Sequence, residues 1–438
     1  MHRRAPWTAA VALAAGLLLA GCTTTHSRSG GATGDTLRTA WTADLGGAVV
    51  GAPVVDGNRI LAATEGNRVV ALDPADGRVL WSRSVGAPLT DVASVTGCGN
   101  LDPLGITSTP VVDPATGTGY VVAEVRTGQA SVQHRLVGID PATGRIVRQA
   151  DADPPLPSGE RALYLLQRPA LVLANGRVYA AFGGNSGDCG RYHGWVVGLD
   201  VQGAAPPVAF EVASEAEGGA IWMSGGPPAV DGAGNLYVTT GNTNPDPPEG
   251  GPDPTRYAES VVKLSPDLHP LAAFKDRTAG GDADLSTAPP VLLKDGRLLT
   301  VGKTDTAYLL EASDLHRVAD IAHVCGSDPD GTPAYDAAHD RVLVPCRSGG
   351  IQVLDVARNR LGPLIPGPNS SPVIAGGAVW AAFYPDGTLS RIDVARRAVT
   401  ATASLGEVPH FATPAVTGGL VLVGTTHGVA AVHAGTGG

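Results

Sequence analysis

Five residues of the chain carry side chains that could do chemistry together: Asp188, Trp222, Asn242, Asp284 and Lys303. Asp188 ends the run Gly184-Asn185-Ser186-Gly187-Asp188, Asn242 closes Thr240-Gly241-Asn242, and Asp284 closes Asp282-Ala283-Asp284. A flat indole can stack on a planar ring. Amide and carboxylate oxygens suit a hard cation. A positioned carboxylate can take a proton, and a Lys supplies positive charge. The same residues also fit plain structural work. Trp222 would then be packing, Asp188 and Asn242 would cap turns through Asx hydrogen bonds, Lys303 would be solvated or paired with Asp305, and Asp282 and Asp284 would be loop acids.

No Ser-His-Asp spacing motif, phosphate loop, paired-carboxylate motif or Cys-x-x-Cys-His haem motif stands out in the chain. His134 and His193 lack metal-ligand spacing and read as structural. Any site must therefore be assembled from separate segments, and the elements that position them come next.

Internal repeats organise the chain. A Pro leads into an apolar strand at Ala52-Pro53-Val54-Val55, Thr109-Pro110-Val111-Val112, Arg168-Pro169-Ala170-Leu171, Pro228-Ala229-Val230, Pro290-Val291-Leu292, Thr332-Pro333-Ala334, Ser371-Pro372-Val373 and Thr413-Pro414-Ala415. An apolar strand ending in a polar residue follows each one, from Val70-Ala71-Leu72-Asp73 to Ala431-Val432-His433. Between them lies a strand preceded by a Gly turn, as in Asp56-Gly57-Asn58, and Gly supplies the positive φ of a tight hairpin. An outer strand such as Arg78-Val79-Leu80-Trp81 ends the unit. Eight four-stranded antiparallel meanders of this kind make an all-β, eight-bladed β-propeller.

The last repeat stops before its outer strand, and Arg38-Thr39-Ala40-Trp41 matches the missing piece. Residues 37–45 are therefore expected to pair with the strand around 429–433 and close the ring, removing an exposed edge. Composition agrees: 59 Gly, 35 Pro and only 16% charged residues suit short strands and tight turns rather than charged helices.

Strand order fixes which loops share a face. Loops between second and third strands, and between blades, lie on one side. They hold nearly all the excess length, at 85–104, 151–167, 183–193, 242–259 and 278–286, around blades 2 to 5. Long loops on a rigid scaffold are where function concentrates. The five residues above all fall on this face and are expected to border one cavity.

Arg3 and Arg4 precede an apolar run from Ala9 to Ala20, too short to span a membrane comfortably. The run ends in Leu19-Ala20-Gly21-Cys22, which resembles the lipobox of bacterial lipoproteins. That resemblance implies a signal peptide at 1–21, an acylated Cys22, a Thr/Ser/Gly-rich tether at 22–36, and a mature domain at 37–438 anchored on the extracytoplasmic side of a membrane. Residues 1–21 hold two Arg and no acid, so their removal takes the formal charge from −10 to −12. No basic run remains, which argues against nucleic acid as a partner. Four Cys besides Cys22 in an oxidising compartment suggest two disulfides. Cys325 with Cys346 fits blade 6 and its approach, and Cys98 with Cys189 joins two long loops.

Ala71-Leu72-Asp73-Pro74-Ala75-Asp76-Gly77 with Trp81, and Gly138-Ile139-Asp140-Pro141-Ala142-Thr143-Gly144, resemble the repeat of pyrroloquinoline-quinone (PQQ) type propellers. The similarity covers 37–438. The family includes alcohol dehydrogenases and non-catalytic assembly lipoproteins, so it implies fold more than function. In the dehydrogenases, a Trp and a Thr-Gly-Asn at similar spacing supply the floor for PQQ and a calcium ligand. The resemblance thus gives Trp222 and Lys303 a cofactor-binding role, Asp188 and Asn242 a calcium role, and Asp284 the role of catalytic base. The chain departs from that pattern elsewhere. Cys98 is followed by Gly99 instead of a second Cys, and Asn244-Pro245-Asp246 replaces Pro-Trp-Asn. The expectation is a binding or scaffold module that presents its long-loop face to a protein or envelope ligand. The alternative is a PQQ- and calcium-dependent oxidoreductase or a degenerate descendant of one.

Overall fold

The computed structural model describes residues 35–213, 216–244, 256–276 and 282–435. Cys22, the apolar leader and the tether up to residue 34 lie outside the described residues, as do 245–255 and 277–281 of the long loops.

Eight four-stranded antiparallel sheets form a ring, each strand pairing with the next in sequence. Blade 1 comprises Val54–Asp56, Arg59–Thr64, Arg68–Leu72 and Val79–Ser84. Blades 2 to 7 begin at Val111–Val112, Val172–Ala174, Ala229–Val230, Val291–Leu292, Ala334–Asp336 and Val373–Ala375. The innermost strands of blades 1 and 2, 2 and 3, 4 and 5, 6 and 7, and 8 and 1 touch. The second and third strands of blades 1 and 6 are almost wholly buried, because both of their faces meet adjacent blades. That explains their continuous runs of Val, Leu, Ile and Ala in place of a polar–apolar alternation.

Ring closure is as expected from the split repeat. Thr39–Asp44 pairs antiparallel with Gly428–His433 as the outer strand of blade 8, with Thr42 opposite Ala430 and Asp44 opposite Gly428. Just before it, Asp35–Thr36 pairs in parallel with Ala401 and Thr402 on the outer strand of blade 7.

Two outer-strand Trp residues also tie blade 8 to blade 1 and blade 1 to blade 2. The Trp81 indole donates to the Pro141 carbonyl at 2.8 Å, and the ring lies so close over Gly144 that a Cβ there would clash. Trp41 repeats the contact on blade 1, donating to the Pro74 carbonyl at 2.9 Å over Gly77. Gly144 and Gly77 have φ of +70° and +74°, so conformation and clearance both call for Gly. In blade 2 the equivalent position is Arg148, which donates to the Asp200 carbonyl at 2.8 Å. The N-terminal strand thus latches the ring through its backbone ladder and through Trp41.

Cys98–Cys189 and Cys325–Cys346 are both disulfide-bonded, with Cα atoms 5.8 Å and 5.3 Å apart.

Candidate functional site

Asp188, Trp222, Asp284 and Lys303 line one cavity of about 390 Å³ on the long-loop face. Asn242 is not on its wall and contributes through its backbone.

Trp222 sits in the linker from blade 3 to blade 4. The turn after it is tight: Met223, Ser224 and Gly225 have φ of +46°, +45° and +78°. Positive φ in two successive non-Gly residues is costly and persists only where surroundings impose it. Here the Ser224 hydroxyl donates to the Thr287 carbonyl and Gly226 N–H to Met223 O at 2.8 Å. The indole lies against Gly183, where a Cβ would come within 2.8 Å of two of its atoms, and donates to Gly184 O at 2.9 Å.

Asp284 is buried in the linker from blade 4 to blade 5. Its Oδ1 accepts the Asn242 N–H at 3.0 Å, and its Oδ2 accepts from Lys303 Nζ at 2.8 Å. Lys303 lies between the second and third strands of blade 5, and its own N–H donates to Asp284 O at 3.0 Å. Lys303 also donates to the exposed Asp282. Burial pushes the Asp284 acid above its ordinary range, while its bond with Lys303 holds Asp282 below. Burial opposes the Lys303 charge, but the two carboxylates outweigh it and keep the ammonium protonated. Lys303 therefore pairs with the two acids and not with Asp305, whose carboxylate accepts the N–H groups of Cys325 and Gly326 at 2.6 and 3.0 Å.

Asp188 has a left-handed backbone, φ +51°, in the loop between the second and third strands of blade 3. Its Oδ1 accepts from the Tyr192 hydroxyl at 2.5 Å, and burial pushes its acid up. The neighbouring rim is held by the Cys98–Cys189 bridge and by Gly99 N–H donating to Ser186 O at 2.9 Å.

The far wall comes from the linkers before blades 3 and 8 and from the loop after the second strand of blade 6. Arg168, Arg347, Pro409, His410 and Phe411 line it. His410 is stacked between Tyr384 and Phe411, with ring centroids 4.5 and 3.7 Å away. Its Nε2 meets Asp330 Oδ1 at 2.8 Å, which also takes Arg347 Nε at 3.2 Å. The sequence carries one signal for this wall. Arg168 is the single charged residue among the eight that precede the strand-leading Pro, the others being Ala52, Thr109, Pro227, Pro289, Thr332, Ser371 and Thr413.

His134 and His193 are buried beside acids. His134 Nδ1 meets Asp153 Oδ1 at 2.7 Å, and His193 bonds Glu160. Burial opposes the His134 charge, but Asp153 and Glu124 hold its pKa up to about 9.

The donor set does not fit calcium. That ion takes roughly six to eight oxygens. Asn242 is off the cavity wall, both Asp284 oxygens are engaged, and Asp188 Oδ1 is bonded by Tyr192. Among the described residues, no three His, Cys, Asp or Glu side chains are grouped to hold a metal. A planar ring has Trp222 to lie against, but the Lys303 charge is already shared by two carboxylates.

A family model described as outer membrane protein assembly factor BamB matches residues 4–186. No curated protein matches the chain. Among solved structures, the quinohemoprotein alcohol dehydrogenase from Comamonas testosteroni aligns with a TM-score of 0.66 at 14% identity, over 91% of this chain and 76% of its own. A europium-containing methanol dehydrogenase gives 0.66 at 14%, over 90% and 85%. BamB from Moraxella catarrhalis gives 0.58 at 12%, over 91% and 99%. At these identities the likeness is one of fold. Among the described residues no helix is long and apolar enough to cross a membrane.

Proposed function

For a PQQ-like eight-bladed β-propeller with this cavity, we propose a binding module held by an acylated Cys22 on the extracytoplasmic side of a membrane. Its long-loop face offers the cavity to a protein or envelope ligand. The observation that carries this reading is the state of the cavity acids. Asp284 is held by Asn242 N–H and Lys303, Asp282 by Lys303, and Asp188 by Tyr192. These bonds fix the shape and charge of a wall and engage the carboxylates that a base or a metal site would draw on. The anchor rests on the lipobox-like run, and mass spectrometry of the mature N-terminus tests it. An unmodified N-terminus at another cleavage site refutes it.

The second reading is a PQQ- and calcium-dependent oxidoreductase with Asp284 as base. The meeting of Trp222, Asp284 and Lys303 on one wall favours it. Calorimetry with PQQ, with and without calcium, separates the two. The binding module predicts that calcium changes nothing. Binding of PQQ that requires calcium supports the oxidoreductase instead.

A further inference from the structure

Three cations line the cavity, and two of them are neutralised. Lys303 pairs with Asp282 and Asp284. Arg347 pairs with Asp328 at 2.8 Å and Asp330 at 3.2 Å. Arg168 differs. It is 6% exposed, lines the cavity, and makes no ion pair with any described carboxylate. A guanidinium has five N–H donors, and the protein acceptor it meets here is His410 O, at 3.2 Å from Nη2. Its plane lies over Phe411, 5.3 Å from the ring centroid, and a Cβ on Gly225 would collide with Nη1. Backbone and aromatic ring thus hold the group in one orientation.

A buried charge without a counter-charge is expensive. Burial lowers the Arg168 pKa to about 10, and the acid that offsets this is Glu65, acting through space. Glu65 makes no direct ion pair with Arg168: its Oε2 accepts from Gly105 N–H at 2.8 Å and from the Thr107 hydroxyl at 3.2 Å. Position adds to the case. Seven of the eight residues before the strand-leading Pro are small, hydroxylic or Pro, and four of them stitch neighbouring linkers together. Ala52 N–H donates to Thr109 Oγ1 at 2.8 Å, and Thr332 N–H to Ser371 Oγ at 2.9 Å. Arg168 instead reaches from the start of blade 3 to the linker before blade 8.

We propose that Arg168 is the anchor for the carboxylate of a small, planar organic acid, whose apolar body lies between Trp222, Phe411 and Leu166. The lining and the size of about 390 Å³ suit a ligand of one or two rings. Asp188, Asp282 and Asp284 on the same wall disfavour a more highly charged anion, so one carboxylate fits better than a phosphate dianion. A guanidinium is matched to a carboxylate by two parallel N–H bonds. This inference rests on the binding reading above and names its ligand class.

The test is calorimetry of the purified protein with 2-naphthoate and with its neutral isostere 2-naphthamide. The wild type is expected to bind the acid at least tenfold more tightly than the amide. Arg168→Gln should reduce the preference to less than twofold, and Arg168→Lys should keep part of it. The comparison in the wild type needs no variant, so a folding defect in either variant leaves the proposal open to refutation. Equal affinities in the wild type overturn it, as does no binding of the acid. A preference that survives in folded Arg168→Gln also overturns it, because another cation then holds the carboxylate. These outcomes concern Arg168 alone; the binding reading fails separately, on calcium-dependent binding of PQQ.

Discussion

Lys303 Nζ lies 2.8 Å from Asp284 Oδ2, joining the turn between the second and third strands of blade 5 to the linker that precedes that blade. Asp284 is 1% exposed, so the pair is shielded from solvent on the carboxylate side. Loss of one partner leaves a poorly solvated charge. The pair should therefore be energetically coupled. In a double-mutant cycle of Asp284→Asn and Lys303→Met followed by urea unfolding, a coupling of about 1–3 kcal/mol is expected. Additive single effects would show that the two side chains stand near each other without interacting.

Glu65 gives a pH dependence with a definite sign. Burial raises its pKa from 4.5 to about 7, against the lowering effects of Gly105, Thr107 and Arg168. Between those values the folded state holds a proton that the unfolded state has lost. Stability from this group is complete below pH 4.5 and is lost as pH rises to about 7, on the order of 3 kcal/mol at most. Glu65→Gln removes the titration. Melting temperatures of wild type and variant should converge toward pH 4.5 and separate toward pH 8, with the variant more stable at the higher pH. Parallel curves would contradict the assignment.

The latch makes a paired prediction. Trp41 is 8% exposed and packs on the Gly77 turn of blade 1. Trp41→Ala should cost about 3–5 kcal/mol. Deleting residues 23–34, ahead of the first paired strand, should leave the melting temperature nearly unchanged. Deleting 23–45 should lower it sharply and promote aggregation, because blade 8 then has a bare edge. Equal melting temperatures for the two deletions would refute closure by this strand.

The ring was legible because its signals are local and repeated. Each blade carries a Pro before the inner strand and an apolar run, all but blade 6 carry a Gly turn between the first two strands, and one half-repeat at each end of the chain implies the closure. Both disulfide pairs followed from placing the Cys residues on that frame. The site was only half legible. Asp188, Trp222, Asp284 and Lys303 lie on loops whose side of the ring is fixed by strand order, so their convergence could be anticipated. Asn242 shows the limit: it is off the cavity wall, and its N–H serves Asp284. The partner of Lys303 was open as well, since Asp305, two residues away, competes on paper with acids 19 and 21 residues away. The wall of Arg168, His410 and Phe411 joins linkers 242 residues apart, a distance at which no local pattern informs.

The proposed role is binding at the cavity, with the oxidoreductase as the competing reading. The most direct measurement is dye-linked alcohol oxidation by the purified protein after incubation with PQQ and calcium, compared with Asp284→Asn. A binding module gives the same background rate for both proteins. Alcohol-dependent turnover in the wild type that Asp284→Asn abolishes would contradict it.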